Sequence, residues 1–590
     1  MLRLALSRSD SSLLQWFRLQ NIWGRLGRPL LKPSPVTKRL LLLTDATSEG
    51  LRPALELFSA AFGVGLQATT APFDSVEQTV LGLSRASDQD CDAAVLLLSE
   101  EWLRRQLGAS SLVECARVDD AKNRLADLVS TLREKTSRYI LVGNFPGSTY
   151  HMPAGAAVAR GYVGWNIAVS QLNLALAALS LPQTYVVDVA DAVFGAGGRT
   201  ALGRSSFFRA RIAYETAGTL AVARALALAL AGIFGKRHRA IVTDLDNTLW
   251  GGEIGELGPD QIVLGPETPD GLAFGRVQEY LKGLTRMGVL VAAVSRNDSN
   301  VVELLRDRSR FTLAADDFAS IHASWIQKSR AIDHVAADLG FGPEFMVFLD
   351  DSLFEIAEVL RTHPHIDVLL AGPDPQLTLE RLSQSAFFNT VALVHEDIER
   401  NMRAGLLRQQ REQSRQFENP EDFLRAIQIR VYASLLDDTN GERVVQLLQK
   451  SNQFNLTTRR HNRRDLQELC SRGATIWAFG YEDTFGSQGI ISVVVTLPHE
   501  DHVQIESWVM SCRVLNRTVE LAVFDHIRKH AGGKRLVGEY IPTERNGIVK
   551  RLYADLGFEL QARCDYREIW VWQEIPEKST PPCFADLVTR

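Results

Sequence analysis

The sequence predicts a multidomain α/β protein, with two successive α/β domains followed by an α+β domain. Three observations carry this. The chain has 590 residues, more than one core accommodates at roughly 100–200 residues per domain. Short continuous apolar runs that end in polar turns recur at 39–44, 93–98 and 139–143, then again at 240–243, 289–294 and 346–349, with helix-like segments between them. Strands buried on both faces of a parallel sheet read this way. Beyond about Asn419 the pattern changes to helices mixed with alternating strands, such as 490–495 and 503–508, which reads as α+β.

These patterns divide the chain into a 1–37 extension, a first α/β domain over 38–235, a second over 236–394, a charged linker helix over 395–418 and the α+β domain over 419–590. The extension bears Ser and Arg with little acid. It reads as a first helix and a Pro-rich linker, with a transit peptide as the alternative. A hydrophobic share of 45% and a charged share of 23% are ordinary for a soluble globular protein. The net charge of -5 argues against a nucleic-acid partner, because phosphate neutralisation needs clustered Lys and Arg. The longest apolar stretch, 220–234, is interrupted by Arg224 and is shorter than a bilayer span, so it reads as a buried helix and no membrane partner is expected. Six cysteines without a CxxC pair fit a reducing cytoplasm.

The second α/β domain carries the chemistry. Asp244-Leu-Asp246-Asn-Thr248 follows directly on the strand at 240–243, and ligands of open α/β sheets bind at the carboxyl ends of strands. Two carboxylates one residue apart face one site if the backbone curls. One is then placed to attack phosphorus and the other to shuttle the leaving-group proton. Such a pair needs a cation, so Mg²⁺ is implied. Ser295 ends the second strand and offers a hydroxyl to a phosphoryl oxygen, with Asn297 close behind. Lys328 offsets charge. Asp350-Asp351 ends the third strand and is placed to hold the metal. Polar groups at three strand ends with a Lys between the last two form the constellation that phosphoryl transfer requires.

On these residues the chain resembles the haloacid dehalogenase (HAD) superfamily: Asp244-Leu-Asp-Asn-Thr248 matches its first motif, Ser295 its second, Lys328 its third and Asp350-Asp351 its fourth. The segment Trp250-Gly-Gly-Glu-Ile-Gly-Glu256, with Ser295-Arg-Asn-Asp298 and Leu349-Asp-Asp-Ser352, looks like the FkbH-like subfamily of glyceryl transferase/phosphatases of polyketide biosynthesis. Where that family usually has Lys, this chain has Arg296, which receives no role. The resemblance implies Asp244 as nucleophile and Asp246 as general acid/base. Thr248, Ser295, Asn297 and Lys328 would bind the phosphoryl group, and Asp244, Asp246, Asp350 and Asp351 would hold Mg²⁺. No long cap insertion separates the first two motifs, which implies an open site able to accept a protein-tethered substrate.

The C-terminal segments Ser451-Asn-Gln-Phe-Asn-Leu-Thr-Thr458, Trp508-Val-Met-Ser-Cys-Arg-Val-Leu515 and Val537-Gly-Glu-Tyr-Ile-Pro-Thr543 also look FkbH-like, and the stretch from Asn546 through Tyr553 to Phe558 resembles the closing motif of N-acetyltransferase-like (GNAT-like) folds. The pyrophosphate turn of that fold would fall on Arg513-Val-Leu-Asn516-Arg-Thr518, which lacks both glycines. Close backbone approach to a phosphate depends on them. Cys512 stands just before this turn, and two readings stay open: a small buried hydrophobe or a thiolate that attacks an acyl phosphate. Tyr553 is open between an acid and a core residue. The spacing of His461, His499, His502, His526 and His530 singles out none of them as a base. Cys91, Cys115, Cys470, Cys564 and Cys583 read as structural.

The first domain looks weakly like an SGNH-hydrolase fold. Its place for the nucleophilic Ser holds Leu43-Thr-Asp-Ala46, Asn144 resembles the third-block Asn, and an Asp-x-x-His is lacking. A non-catalytic docking role follows by analogy. Taken together, the resemblance implies a cytoplasmic, bifunctional enzyme. It would capture the phosphoglyceryl group of 1,3-bisphosphoglycerate, remove the 3-phosphate and load glyceryl onto the phosphopantetheine arm of an acyl carrier protein in antibiotic-type biosynthesis. The alternatives are a plain phosphatase and a non-catalytic scaffold.

Overall fold

The computed structural model describes residues 37–590, except 84–90, 109, 393–404, 406, 407, 409–416, 418, 438, 452, 453, 512, 513, 516, 544, 545, 565, 574–582 and 590. The 1–37 extension apart from Thr37, most of the charged helix expected over 395–418, and Cys512 lie outside the described residues. The chain forms two compact units, Met1–Gly405 and Leu406–Arg590.

The first unit contains two five-stranded parallel sheets. In one, β1 (Thr37–Thr44), β2 (Gly65–Thr70), β3 (Ala93–Leu97), β4 (Tyr139–Gly143) and β5 (Thr184–Val187) stand in the order β2-β1-β3-β4-β5. In the other, β6 (Ala240–Thr243), β7 (Leu290–Ser295), β8 (Ser320–Ala323), β9 (Met346–Asp350) and β10 (Asp367–Leu370) stand in the order β8-β7-β6-β9-β10. Every residue of β3, β6, β7 and β9 is buried. Helices cover both faces of such sheets, which is why these strands are continuous apolar runs rather than alternating ones. The six runs read from the sequence all fall on strands of these two sheets. One difference matters chemically: the second strand of the second sheet extends through Ser295, so that hydroxyl is held by the sheet itself.

Two helices pack together against one face of the first sheet. The helix α1 (Leu51–Ala61) follows β1, and α2 (Thr216–Phe234) closes the domain. Among the described residues α2 is the one helix long and apolar enough to cross a membrane. Its Val222, Leu226 and Leu230 are fully buried in the core shared with Leu55 and Phe58 of α1. The apolar face is therefore spent on packing within the domain.

The second unit is built on one eight-stranded mixed sheet. Its strands are β11 (Ile429–Leu435), β12 (Thr475–Asp483), β13 (Gly486–Pro498), β14 (His502–Met510), β15 (Arg535–Tyr540), β16 (Glu559–Cys564), β17 (Arg567–Trp572) and β18 (Ala585–Thr589), in the order β16-β17-β15-β14-β13-β12-β11-β18. Val493, Val495 and Val509 face one core; Val494, Trp508 and Met510 face the other. This alternation is what the period-2 pattern of β13 and β14 encodes. The strands β14 and β15 run parallel and pair only from His502↔Arg535 to Ile505↔Gly538. Tyr553 packs in the core against Phe558, with ring centroids 4.8 Å apart, which decides between its two readings in favour of the core. A Cβ on Gly538 would lie 2.3 Å from Tyr553 Cζ. Gly538→Ala is therefore expected to cost about 1–3 kcal/mol by overpacking, seen as a lower urea midpoint at unchanged m-value.

Candidate active site

The second sheet reverses its direction of growth between β6 and β9, and ligands of open α/β sheets bind in the crevice at such a switch point. Asp244 follows β6 and Asp350 ends β9, so both carboxylates stand at that crevice. The Asp244 N–H donates to the Leu349 carbonyl at 2.9 Å, which carries the strand pairing one residue into the motif. The backbone then turns at Asn247, whose φ of 55° lies in the left-handed region that Asn tolerates better than most residues. Asn247 Oδ1 accepts from the Gly252 N–H at 2.8 Å and holds the turn closed. This is the curl that two carboxylates one residue apart need.

Lys328 opens a helix, α3 (Lys328–Leu339), and lies buried between the acids. Its Nζ stands 2.9 Å from Asp244 Oδ2 and 2.6 Å from Asp350 Oδ2. Burial raises the Asp244 pKa; Lys328 opposes the rise and Asp350 adds to it, leaving the group above the usual carboxylate range. Burial likewise raises Asp350 and Asp351. Burial works against the Lys328 charge, but Asp244 and Asp350 outweigh it and raise that pKa. Three carboxylates and one ammonium thus share a site short of two positive charges.

Asp244, Asp350 and Asp351 each present an oxygen within 4.8 Å of the others. An all-oxygen donor set of this kind suits a hard divalent cation such as Mg²⁺. Two buried oxygens, Asp244 Oδ1 and Thr248 Oγ1, have no hydrogen-bond partner among the described residues. Unsatisfied buried polar atoms are costly in a native core, and a cation or phosphoryl group at this strand end would satisfy them. The residues therefore fit the metal.

The Asp246 side chain does not belong to the metal-ligand group, although the motif reading included it. Its carboxylate is spoken for. Oδ1 accepts from Trp250 Nε1 at 2.8 Å and from the Ile254 N–H at 3.1 Å, and Oδ2 accepts from Asn297 Nδ2 at 2.8 Å. Asn297 Nδ2 also reaches Ser295 Oγ at 3.0 Å and so ties the end of β7 to the first motif. Asn297 is thus brought to the site as expected, but its amide orients Asp246 and Ser295. Arg296 turns away to Glu355, 3.0 Å distant.

Trp250, which opens the segment 250–256 and received no role from the sequence, is brought to the candidate site. It is fully buried, packs edge-on against Phe311, and uses its single N–H to fix Asp246. A Trp four residues beyond a carboxylate of the first motif is the available signal. Trp250→Phe keeps most of the packing and removes that donor. It is expected to lower kcat about ten- to a hundredfold with KM little changed, the loss of one hydrogen bond to a charged group being worth ~1.5–3 kcal/mol. Steady-state phosphate release checks this.

Of the histidines, His461 is buried and bonded to Ser507 Oγ at 2.9 Å. His499 and His502 stack on each other. His526 is buried against Trp477 and Phe479, with neither ring nitrogen bonded. Burial, then the charges of His530 and Lys529, push its pKa down to about 4. The unfolded chain, with a His pKa of about 6.5, takes up this proton first. Stability is therefore full above pH 6.5 and is lost as pH falls toward 4. His526→Phe is expected to reduce the fall in urea midpoint between pH 7 and pH 5. Cys470, Cys564 and Cys583 are exposed, so they are surface thiols rather than core-filling groups.

Over 64% of its length the chain shares its fold with the N-terminal part of a Bacteroides fragilis protein. That structure contains a phosphatase domain and is complexed with Mg; it is 23% identical, 99% of it is covered, and the TM-score is 0.55. An Escherichia coli ribosomal-protein-S18-alanine N-acetyltransferase matches 24% of this chain and 90% of its own, at 13% identity and a TM-score of 0.19. The GNAT domain of S. lividans PAT matches 24% of this chain and 88% of its own, at 15% identity and a TM-score of 0.19. No family model and no curated protein matches the chain.

Proposed function

We propose that the chain is a Mg²⁺-dependent HAD-type phosphatase that is also a glyceryl transferase. The convergence of Asp244, Lys328 and Asp350 at the switch point of the second sheet is the observation that carries the phosphatase half. Asp244 attacks the phosphorus of the 3-phosphate, the bond from phosphorus to the leaving oxygen breaks, and Asp246 delivers the proton that oxygen needs. Water then attacks the aspartyl-phosphate and returns the proton to Asp246, freeing Asp244 and inorganic phosphate. Lys328 and Ser295 hold the phosphoryl oxygens, and Asn297 and Trp250 keep Asp246 aimed. Asp244, Asp350 and Asp351 would hold Mg²⁺, which would offset the accumulated negative charge.

The glyceryl half is supported by the FkbH-like segments of both units. A thiol, for which Cys512 is the candidate, attacks C1 of 1,3-bisphosphoglycerate and expels the C1 phosphate, leaving a thioester. After dephosphorylation, the phosphopantetheine thiol of an acyl carrier protein takes the glyceryl group and the enzyme thiol is regenerated. Keeping both steps on one chain gives the tethered intermediate a high effective concentration. The metabolites involved place the reaction in the cytoplasm.

Intact-protein mass spectrometry after incubation with Mg²⁺ and 1,3-bisphosphoglycerate tests this. A hydroxylamine-labile adduct of glyceryl mass is expected, and it should vanish in Cys512→Ala. Phosphate release from small phosphoesters without any adduct, even with carrier protein present, would reduce the reading to a plain phosphatase. That second reading is favoured by one fact: the phosphoryl site is built wholly from the first unit.

A further inference from the structure

The first sheet has a switch point of its own. Its order β2-β1-β3-β4-β5 reverses between β1 and β3, and a cavity of about 360 Å³ opens there. That is the size of a small-molecule site, for which volumes run from about 300 to 1,000 Å³. Leu51 and Leu57 of α1, Leu97 of β3 and Leu220 of α2 supply apolar wall. Thr44, Ser48, Ser99 and Ser206 add polar wall, the Ser99 and Ser206 hydroxyls donating to Asp45 and Glu215. The cavity thus combines an apolar body with a few polar contacts, as ligand sites do.

Its charge is one-sided. The charged residues that line it are Glu49 and Glu215, and no lysine, arginine or histidine is among the described lining residues. Glu215 is fixed in place: its Oε1 accepts from the Arg204 N–H at 3.0 Å and from Ser206 Oγ at 2.7 Å. The first turn of α2 also reaches the cavity at Thr216, and a helix N-terminus carries a partial charge of roughly +0.5. Glu215, the residue just before that turn, offsets it with a full negative charge. A carboxylate or phosphate entering this space would meet acids and no cation among the described lining residues, although the charge of Arg204 acts on Glu215 from outside the lining. Ala46 lines the cavity just beyond β1.

We propose that this cavity binds a small molecule with an apolar body and a positively charged amine end, the amine facing Glu215. The inference does not rest on the phosphatase reading, because the cavity and the phosphoryl site belong to different sheets.

Three six-carbon probes differing only in head group test it on the full chain, by saturation-transfer NMR with titration: hexylammonium, hexan-1-ol and hexanoate. Hexylammonium is expected to bind saturably, at least tenfold more tightly than hexan-1-ol, with hexanoate weakest. Glu215→Gln should bring the amine level with the alcohol while leaving alcohol binding unchanged. Thr219→Phe, which fills the cavity from α2, should abolish binding of all three. If Thr219→Phe does not melt cooperatively, the Glu215→Gln comparison decides alone. Hexanoate binding as tightly as the amine, an amine preference that survives Glu215→Gln, or no saturable binding of any probe would each overturn the proposal.

Discussion

Asp244→Asn is expected to stop phosphate release, with kcat falling by at least about 10³- to 10⁴-fold, the scale on which removal of a covalent nucleophile is felt. The substitution is nearly isosteric, so the strand pairing through the Asp244 N–H survives. It removes one negative charge from a site holding three carboxyls and one lysine. Folding stability should therefore hold or rise while turnover disappears, because desolvation of the Asp244 carboxylate no longer has to be met. Product release on a small phosphoester and a thermal melt, run on the same preparation, check the two halves. Turnover at more than a hundredth of the parent rate would remove Asp244 from the nucleophile's role.

Lys328→Ala is expected to destabilise the first unit by about 3–5 kcal/mol in the absence of metal, the usual consequence of taking one partner from a buried ion pair. Lys328 Nζ sits within 2.9 Å of Asp244 and 2.6 Å of Asp350, both buried, and no other cation is recorded within salt-bridge distance of either side chain among the described residues. With Lys328 gone, the two carboxyls must share protons or draw in a cation. The variant should therefore gain more stability from added Mg²⁺ than the parent does, since a ligand that binds only the folded state stabilises by mass action. Denaturation in EDTA and in millimolar Mg²⁺ checks this. Equal Mg²⁺ shifts in variant and parent would mean that the acids do not hold the metal. Under the proposed mechanism activity should be lost as well, because the ammonium that contacts Asp244 would also face the phosphoryl group.

How far the sequence carried differs between the two ends of the chain. In the second sheet, strand and candidate site coincide for three motif residues: Asp244, Ser295 and Asp350 sit on or immediately beyond an apolar run, whereas Lys328 opens a helix. Ser295 and Asp350 even belong to their strands. In the second unit, residues such as Tyr553 and His526 had no such anchor. A lone Tyr or His reads identically whether it faces solvent, substrate or core, and only packing against Phe558 or Trp477 resolved them. The same holds for Trp250, whose role depends on a carboxylate that only a turn through the left-handed Asn247 brings within reach.

By itself the sequence located six principal strands of the two parallel sheets along the chain, and the four polar elements that lie at or near strand ends in the second sheet, because these are local patterns: runs of a few buried residues and the groups that follow them. The tertiary structure alone decided which carboxylates gather. Asp244, Asp350 and Asp351 form the cation set, and the Asp246 side chain is held apart by Trp250, Ile254 and Asn297. It also decided that α1, α2 and two strand ends enclose a cavity in the first sheet. The physical reason is separation along the chain. Asn297 and Asp246 are 51 residues apart and Lys328 and Asp350 are 22 apart, and no short-range periodicity encodes a contact made only after strands from distant segments have paired.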